Sequence, residues 1–408
     1  MQLRPILAAM RRNKVGAILI AVQMAITLAI LCNSLFIIQE RLASSKRATG
    51  VDEANIFEID NLWVGHPTDL RGRLAEDLAA LRSVPGVVDA FNTNSYPLSN
   101  GGSTDGLSLH PDQPQAMALS AIYFADEHGV STLGLKLIAG RDFNAGDIAD
   151  KVGYTDLSEA SVVIVTRALA DRLFPDGHAL GQSIYVASQK MRSQIVGIVE
   201  QLQVPWTQTG GWGSAFSESS TIEPFRFINQ ASDYLVRAQP GRLSEVMQAA
   251  KKKLIEVNRG RVIDEVQPLT AARAAAYRDD RGLAVILGVV CAALVLVTAF
   301  GIVGLTSYWV AQRRRQIGIR RALGATKQAI VQYFQTENLL IAAAGAGAGI
   351  ALAVALNLWM VKCFEMHRMH LVYALAGALA VLLLGQLAVL WPAMRAASIP
   401  PALATRGV

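Results

Sequence analysis

Four long uncharged segments dominate the pattern of hydrophobic and polar positions along the chain. They cover residues 15–38, 283–310, 338–361 and 371–391. Because an α-helix rises about 1.5 Å per residue, each segment is long enough to cross a hydrocarbon core of about 30 Å. The first is too long for the apolar part of a signal peptide, and no small-residue cleavage site follows it before Gln39. The pattern therefore predicts four transmembrane helices, the first of them retained.

The region between the first two apolar segments, residues 39–281, has the pattern of a folded domain. Two parts of it, 55–100 and 228–268, each contain a strand, a helix and a second strand. Strand-like alternation dominates the intervening residues 101–227. We therefore predict an α+β domain made of a split βαβ module with a β-rich insertion. A helical stalk is expected to lead from it into the second span.

The distribution of charge changes the meaning of the composition. The chain is 52% hydrophobic and 17% charged, with a mean hydropathy of +0.32 and a formal net charge of +6. Taken whole, that charge suggests a nucleic-acid partner. Three segments that adjoin apolar runs, 1–14, 311–327 and 392–408, carry a net charge of +12, and the rest of the chain is net negative. By the positive-inside rule all three face the cytoplasm, together with both termini, so no nucleic-acid partner is expected.

The sequence has no motif for catalysis by its own residues. It lacks a P-loop, a nucleophile elbow and a zinc-protease helix, and its cysteines and histidines have no metal-ligand spacing. Gly345 and Gly349 lie within the third apolar segment, where their spacing permits close helix packing. None of the spans has an acid at its midplane, as an ion carrier would. We predict a non-catalytic chain without a metal or cofactor of its own.

The cytoplasmic loop 311–337 has the most informative pattern. Apolar residues interrupt its arginines at helical spacing, and Gly324 stands where such a helix would end. An anchor that faces lipid headgroups explains Arg313 to Arg315, whereas a short amphipathic helix docked in a partner's groove also explains the apolar positions. The candidate docking residues are Gln316, Ile317, Gly318, Ile319, Arg320, Arg321, Ala322, Leu323, Gly324 and Ala325.

This loop resembles a family signature. The segment Arg315 to Thr326, followed by Glu337, is similar to the signature of FtsX-like permeases, and more narrowly to the MacB-like, macrolide-exporter branch. Further pieces match in the same order, and this order makes the resemblance specific over nearly the whole chain. They are the basic leader 1–14, Gly140 to Phe143, Val162 to Val165, Leu173 to Pro175, Gly197 and Pro392 to Pro400.

The resemblance implies a four-span permease subunit of an ABC transporter, working as a dimer in the bacterial inner membrane, with a porter-like periplasmic domain. A cytoplasmic ATPase holding ATP and Mg would bind the 311–337 loop, and its closure would move the periplasmic domains. This mechanotransmission would drive export of a drug, peptide or toxin through an adaptor and an outer-membrane channel. A regulatory FtsX-like protein that controls a periplasmic partner, or a lipoprotein-release permease, would share the architecture.

Two departures from the family pattern refine these expectations. The macrolide-exporter type carries its ATPase fused before the first span, whereas fourteen residues precede Val15 here, so the ATPase is expected on a separate chain. The family usually has Glu at the position of Gln316, so a coupling ion pair at this position is in question. Such a change is compatible with one half of a heterodimeric permease.

Overall fold

The computed structural model divides the chain into two compact units. The membrane unit comprises residues 1–43 and 280–408, and the domain unit comprises residues 44–279. Residues 1–13 of the basic leader 1–14 and residues 399–408 of the tail 392–408 lie outside the described residues, as do parts of the predicted loops. The structure describes residues 14–398 except 66, 112, 114, 187–191, 208–215 and 365–367.

Long helices occur near both ends of the chain, and short helices and strands alternate in the sequence between them. The helices are α1 (Lys14–Ser45), α2 (Leu70–Arg82), α3 (Gly129–Leu133), α4 (Arg167–Leu173), α5 (Leu243–Val257), α6 (Leu269–Ala276), α7 (Arg278–Gln312), α8 (Arg314–Ala322), α9 (Lys327–Phe364) and α10 (Leu371–Ala397). The strands are β1 (Ile56–Trp63), β2 (Val87–Thr93), β3 (Ser103–Ser108), β4 (Ala118–Phe124), β5 (Leu137–Gly140), β6 (Ala149–Val152), β7 (Val162–Thr166), β8 (Ser183–Val186), β9 (Ser193–Val199), β10 (Ser220–Glu223), β11 (Phe225–Ile228), β12 (Ala231–Ala238) and β13 (Arg261–Pro268).

Four helices, α1, α7, α9 and α10, are long and apolar enough to cross a membrane, as predicted. The predicted spans lie within them, but α9 begins well before the predicted start of its span. Residues 327–337 are therefore helical and are not part of the connecting loop. The helix extends because Ile330 and Phe334, one turn apart, are buried in the core of the membrane unit.

Helix α9 packs closely against α1 through its small residues. A Cβ atom at Gly345 would stand 2.7 Å from the carbonyl oxygen of Ala21, and one at Gly349 would stand 2.9 Å from Cδ2 of Leu28. At Gly345 the contact is with backbone, so a side chain there would push the helices apart, whereas at Gly349 the Leu28 side chain would have to shift. The buried stripe of α1 contributes Met24 and Leu28 to the same core.

The split βαβ module is a four-stranded sheet with the order β13-β1-β12-β2. Strand β12 lies between β1 and β2 and pairs antiparallel with both. Strand β1 lies between β12 and β13 and also pairs antiparallel with both. Helices α2 and α5 connect these split strand pairs. They cover one face of the sheet, where Leu78 and Leu254 share a buried cluster with Phe57 and Tyr234. This confirms the predicted module.

The β-rich insertion closes into a barrel. Its seven strands have the order β5-β9-β7-β10-β4-β3-β8, and β8 also pairs with β9, so six of them form a ring. Alternate residues of β7 belong to two cores, because Val163 and Val165 pack in one cluster and Ile164 in another. The second cluster includes Ile56 and Phe91 of the four-stranded sheet, which places the barrel on the face opposite α2 and α5.

The predicted helical stalk is present, but it is interrupted once before it continues into the second span. It consists of α6 and the start of α7, with a break at Tyr277, where the chain leaves helical geometry. The Tyr277 side chain is buried, and its hydroxyl accepts a hydrogen bond from Nε2 of Gln203 at 3.1 Å. The aromatic ring is thus anchored in the domain unit, which explains why the helix is interrupted at this residue.

Candidate functional site

The loop between α7 and α9 contains the short helix α8. The helix ends because Gly324 adopts a φ of +96°, a left-handed conformation that suits glycine. The amide of Gly324 donates to the carbonyl of Arg321 at 3.1 Å, and the amide of Ala325 donates to that of Arg320 at 3.0 Å. These two bonds form a Schellman motif, so the Leu-Gly-Ala sequence determines the end of the helix.

The inner face of α8 packs on the spanning helices. Ile317 is 6% exposed and shares a buried cluster with Phe334 of α9 and Ala396 of α10. Gly318 beside it is also buried. The apolar residues predicted to form one docking face are therefore divided, and Ile317 holds the helix to its own chain.

The outer face of α8, defined as Ile319, Ala322 and Leu323, is exposed. These residues are three and four positions apart and so share one side of the helix. Ile319 is 46% exposed and Leu323 is 83% exposed. Leu323 is thus a large exposed apolar side chain at the end of a charged helix.

Two arginines attach α8 to the helices beneath it. Arg313, at the junction of α7 and α8, donates to both carboxylate oxygens of Glu337 at 2.9 and 3.1 Å. This ion pair is largely buried, with side-chain exposures of 13% and 4%. At the other end of α8, Nη1 of Arg321 donates to the carbonyl of Ala397 at 2.7 Å. Helix α8 is thus held to α9 at one end and to α10 at the other.

A cleft of about 150 Å³ lies between α8 and the start of α9. Arg313, Gln316 and Arg320 line it, and the guanidinium of Arg320 lies 4.9 Å from the centre of the Tyr333 ring. Gln316 thus shares the cleft with two arginines, one of which, Arg313, pairs with the carboxylate of Glu337. The sequence predicts no partner for Glu337.

The domain unit contains buried acids whose pKa values are raised. Burial raises the pKa of Glu223 to about 7, with a further contribution from Asp105 and an opposing one from Lys151. Burial and the nearby Glu58 likewise raise the pKa of Asp233 to about 7. Among the described residues no group of three or more His, Cys, Asp or Glu side chains is placed to hold a metal ion.

Comparison with known proteins shows which families this chain is similar to. Residues 15–255 match the MacB-like periplasmic core domain, and residues 288–401 match the FtsX-like permease C-terminal region. The chain is 26% identical to the macrolide export ATP-binding/permease protein MacB of Chromobacterium violaceum over 52% of its own length and 31% of that protein. It is 23% identical to the ABC transporter permease YvrN of Bacillus subtilis over 81% of its length and 78% of that protein.

The periplasmic region of MacB from Actinobacillus actinomycetemcomitans aligns with 56% of this chain and 95% of that structure, at 14% identity and a TM-score of 0.34. The chain spans about a third of the length of the ATP-binding/permease relatives it matches. The core-domain match alone covers more than half of the chain, and the second match covers most of the remainder. The chain therefore belongs to the MacB/FtsX-like family of ABC transporter permeases.

Proposed function

We propose that this permease couples ATP hydrolysis by a separate ATPase subunit to movement of its extracytoplasmic domain and so drives export. The observation that carries this proposal is the exposed outer face of α8. An apolar face on a short helix is a common docking element, in which a few large side chains supply most of the binding energy. The ATPase would hold ATP and Mg, and this chain would contribute no catalytic group.

The attachments of α8 support the mechanical part of the proposal. A docked helix transmits displacement only if it is fixed to the elements it moves. The Arg313–Glu337 pair fixes α8 to α9, the Arg321 hydrogen bond fixes it to α10, and Ile317 fills the space between them. A push on the outer face would thus reach two spanning helices at once.

The direction of transport is inferred from relatives. Two ATP-binding/permease relatives are named as export proteins. For this chain we propose export of a periplasmic substrate by a dimer in the inner membrane, with the loop containing α8 in the cytoplasm. The substrate would leave through an adaptor and an outer-membrane channel.

The test begins with the tagged full chain purified from its native membranes. We expect an ABC ATPase to co-purify, and we expect Ile319→Asp or Leu323→Asp to reduce its recovery by about tenfold, because a desolvated apolar anchor contributes about 1–2 kcal/mol to an interface. Charge reversal at Arg321 is a less specific test, since it also breaks the internal bond to Ala397.

Leu157→Asp is the matched control. Leu157 is 89% exposed, similar to Leu323, but it lies in the domain unit. Recovery of the ATPase should be unaffected by this change, and equal recovery with all three variants would refute docking at α8. Co-purification of an adaptor and channel would support export. Co-purification of a peptidoglycan hydrolase instead would favour the regulatory alternative.

A further inference from the structure

A second groove in the membrane unit is lined by the end of α7, the first residue of α8 and the end of α10. It has a volume of about 360 Å³, and its apolar wall includes Val310 and Pro392. The polar groups around it are the guanidiniums of Arg314 and Arg395 and the side chains of Ser307 and Ser398. The groove is separate from the cleft under α8, with which it shares no lining residue.

The side chains beside this groove place it at the depth of lipid headgroups. Tyr308 on α7 is 59% exposed, and Trp391 on α10 is 56% exposed. Exposed Tyr and Trp at the ends of spanning helices mark the membrane–water interface, where their rings suit both apolar and wet surroundings. Arg314 and Arg395 follow these aromatics toward the ends of the apolar helices. Their guanidiniums thus lie at the level of lipid phosphates.

The charge of the groove favours an anion. Neither Arg314 nor Arg395 forms an ion pair with a carboxylate in the part of the chain that the structure describes, and no acid lines the groove. Arg395 lies over the Trp391 ring at 5.6 Å, which orients the guanidinium without neutralising it. Arginine forks match the geometry of phosphate oxygens, and nearby hydroxyls can donate further bonds.

We propose that this groove binds the phosphate headgroup of an anionic phospholipid. Arg314 and Arg395 would hold the phosphate from two helices, and the wall formed by Val310 and Pro392 would contact the start of an acyl chain. Basic pockets between spanning helices recognise lipids in this way. The bound lipid would bridge α7 to α10 at the headgroup level. Arg314 is the first residue of α8 but is not part of its outer face, so the site does not depend on ATPase docking there.

The test titrates the purified full chain, in a neutral detergent, with phosphatidylglycerol or phosphatidylcholine and counts retained lipids by native mass spectrometry. The double variant Arg314→Gln/Arg395→Gln should lose about 30-fold in affinity for phosphatidylglycerol, since each arginine near an anionic surface contributes about fivefold. Its affinity for phosphatidylcholine, whose phosphate is already balanced by the choline ammonium, should fall much less. Arg315→Gln/Lys327→Gln is the matched control, because it removes the same charge from exposed positions outside the groove.

The control should bind phosphatidylglycerol within about twofold of the unmodified chain. An equal loss in both double variants would show diffuse surface attraction and overturn the site. Displacement of the lipid by inorganic phosphate at equal concentration would assign the groove to a free anion and overturn the lipid proposal. If the double variant unfolds at a lower temperature in phosphatidylcholine, the single variants replace it, and each should lose about fivefold.

Discussion

Two buried pairs of an arginine and a carboxylate, one taken from each unit of the molecule, have different surroundings. In the domain unit Arg261 donates to both oxygens of Asp77 at 2.6 and 2.8 Å, and both side chains are at most 1% exposed. In the membrane unit a single nitrogen of Arg313, Nη1, donates to both carboxylate oxygens of Glu337, and Arg313 is 13% exposed and lines an open cleft.

The difference lies in how many other groups complete each pair. The hydroxyl of Tyr234 also donates to Asp77 at 2.7 Å, and the guanidinium of Arg261 lies 4.1 Å from the centre of the Trp63 ring. This closed network is buried and joins α2 to β13. Arg313 instead lies at a helix junction beside the candidate docking helix. Closed pairs maintain a fold, whereas a pair that borders a cleft can respond to a partner.

Removing the closed pair should have the largest effect. Asp77→Asn leaves Arg261 as a buried unpaired charge, and we expect the free energy of unfolding of the domain to fall by about 4 kcal/mol. Chemical unfolding of the full chain, followed by the fluorescence of its tryptophans, measures this change.

Glu245→Gln is the control for Asp77→Asn, because Glu245 pairs with Arg242 on the surface, where the side chains are 67% and 37% exposed. Such pairs contribute at most about 1 kcal/mol. If both variants lose the same stability, the contrast between a closed network and an ordinary ion pair is wrong.

The open pair should show its effect in coupling as well as in stability. Glu337→Gln should lower the stability of the membrane unit by about 3 kcal/mol, the lower end for a buried pair, because Arg313 is partly hydrated. On the proposed function it should also reduce the ATP hydrolysis that the permease stimulates in its partner. The exchange Arg313→Glu/Glu337→Arg should restore part of both, as a double-mutant cycle would reveal. If Glu337→Gln lowers the stability but leaves the stimulated ATP hydrolysis unchanged, the pair stabilises the membrane unit and has no role in coupling.

The sequence predicts those parts of the molecule that depend on local signals. The spans follow from uninterrupted apolar length, the split module from two strand–helix–strand patterns, and the end of α8 from a glycine after Leu323. These features need no knowledge of distant residues. The close packing at Gly345 and Gly349 is also predicted from a local signal, because their spacing alone puts them on one face of α9.

What the sequence could not provide depends on distant partners. Closure of the barrel rests on a pairing of β8 with β9 that involves only two residues of each strand. The separation of Ile317 from the outer face of α8 depends on where α9 and α10 lie, and helical spacing in a nine-residue segment does not determine this. Likewise the partner of Glu337 is 24 residues away, and any of several arginines in the loop fits the pattern.

A third kind of buried charge, an acid without an arginine, sharpens the comparison further. Burial raises the pKa of Glu223 to about 7, so the folded state binds its proton more tightly than the unfolded chain does. Stability is therefore greatest at pH values below the ordinary glutamate pKa and falls as the pH rises through about 7. We expect Glu223 to contribute a loss of about 2 kcal/mol between about pH 5 and about pH 8.

Comparing the unfolding of the full chain with that of Glu223→Gln over this range isolates the contribution of Glu223. The variant cannot ionise at this position, so its stability should decline less by that amount. Parallel profiles of stability against pH for the two proteins would mean that Lys151 neutralises the Glu223 carboxylate. Glu223 would then be a paired acid, like Asp77 and Glu337.

The smallest expected effect concerns a carboxylate that remains in water. Asp69 caps α2, and its Oδ1 accepts a hydrogen bond from the amide of Gly72 at 2.7 Å. Asp69→Ala removes this acceptor and should lower the stability of the domain by about 1 kcal/mol, the usual effect of losing a helix cap. Asp69→Asn keeps an acceptor without the charge and should retain most of that stability, as measured by the same unfolding experiment. If Asp69→Asn lowers the stability as much as Asp69→Ala does, the charge of Asp69 matters more than its hydrogen bond. The exposed carboxylate would then depend on its charge, as the buried carboxylates do.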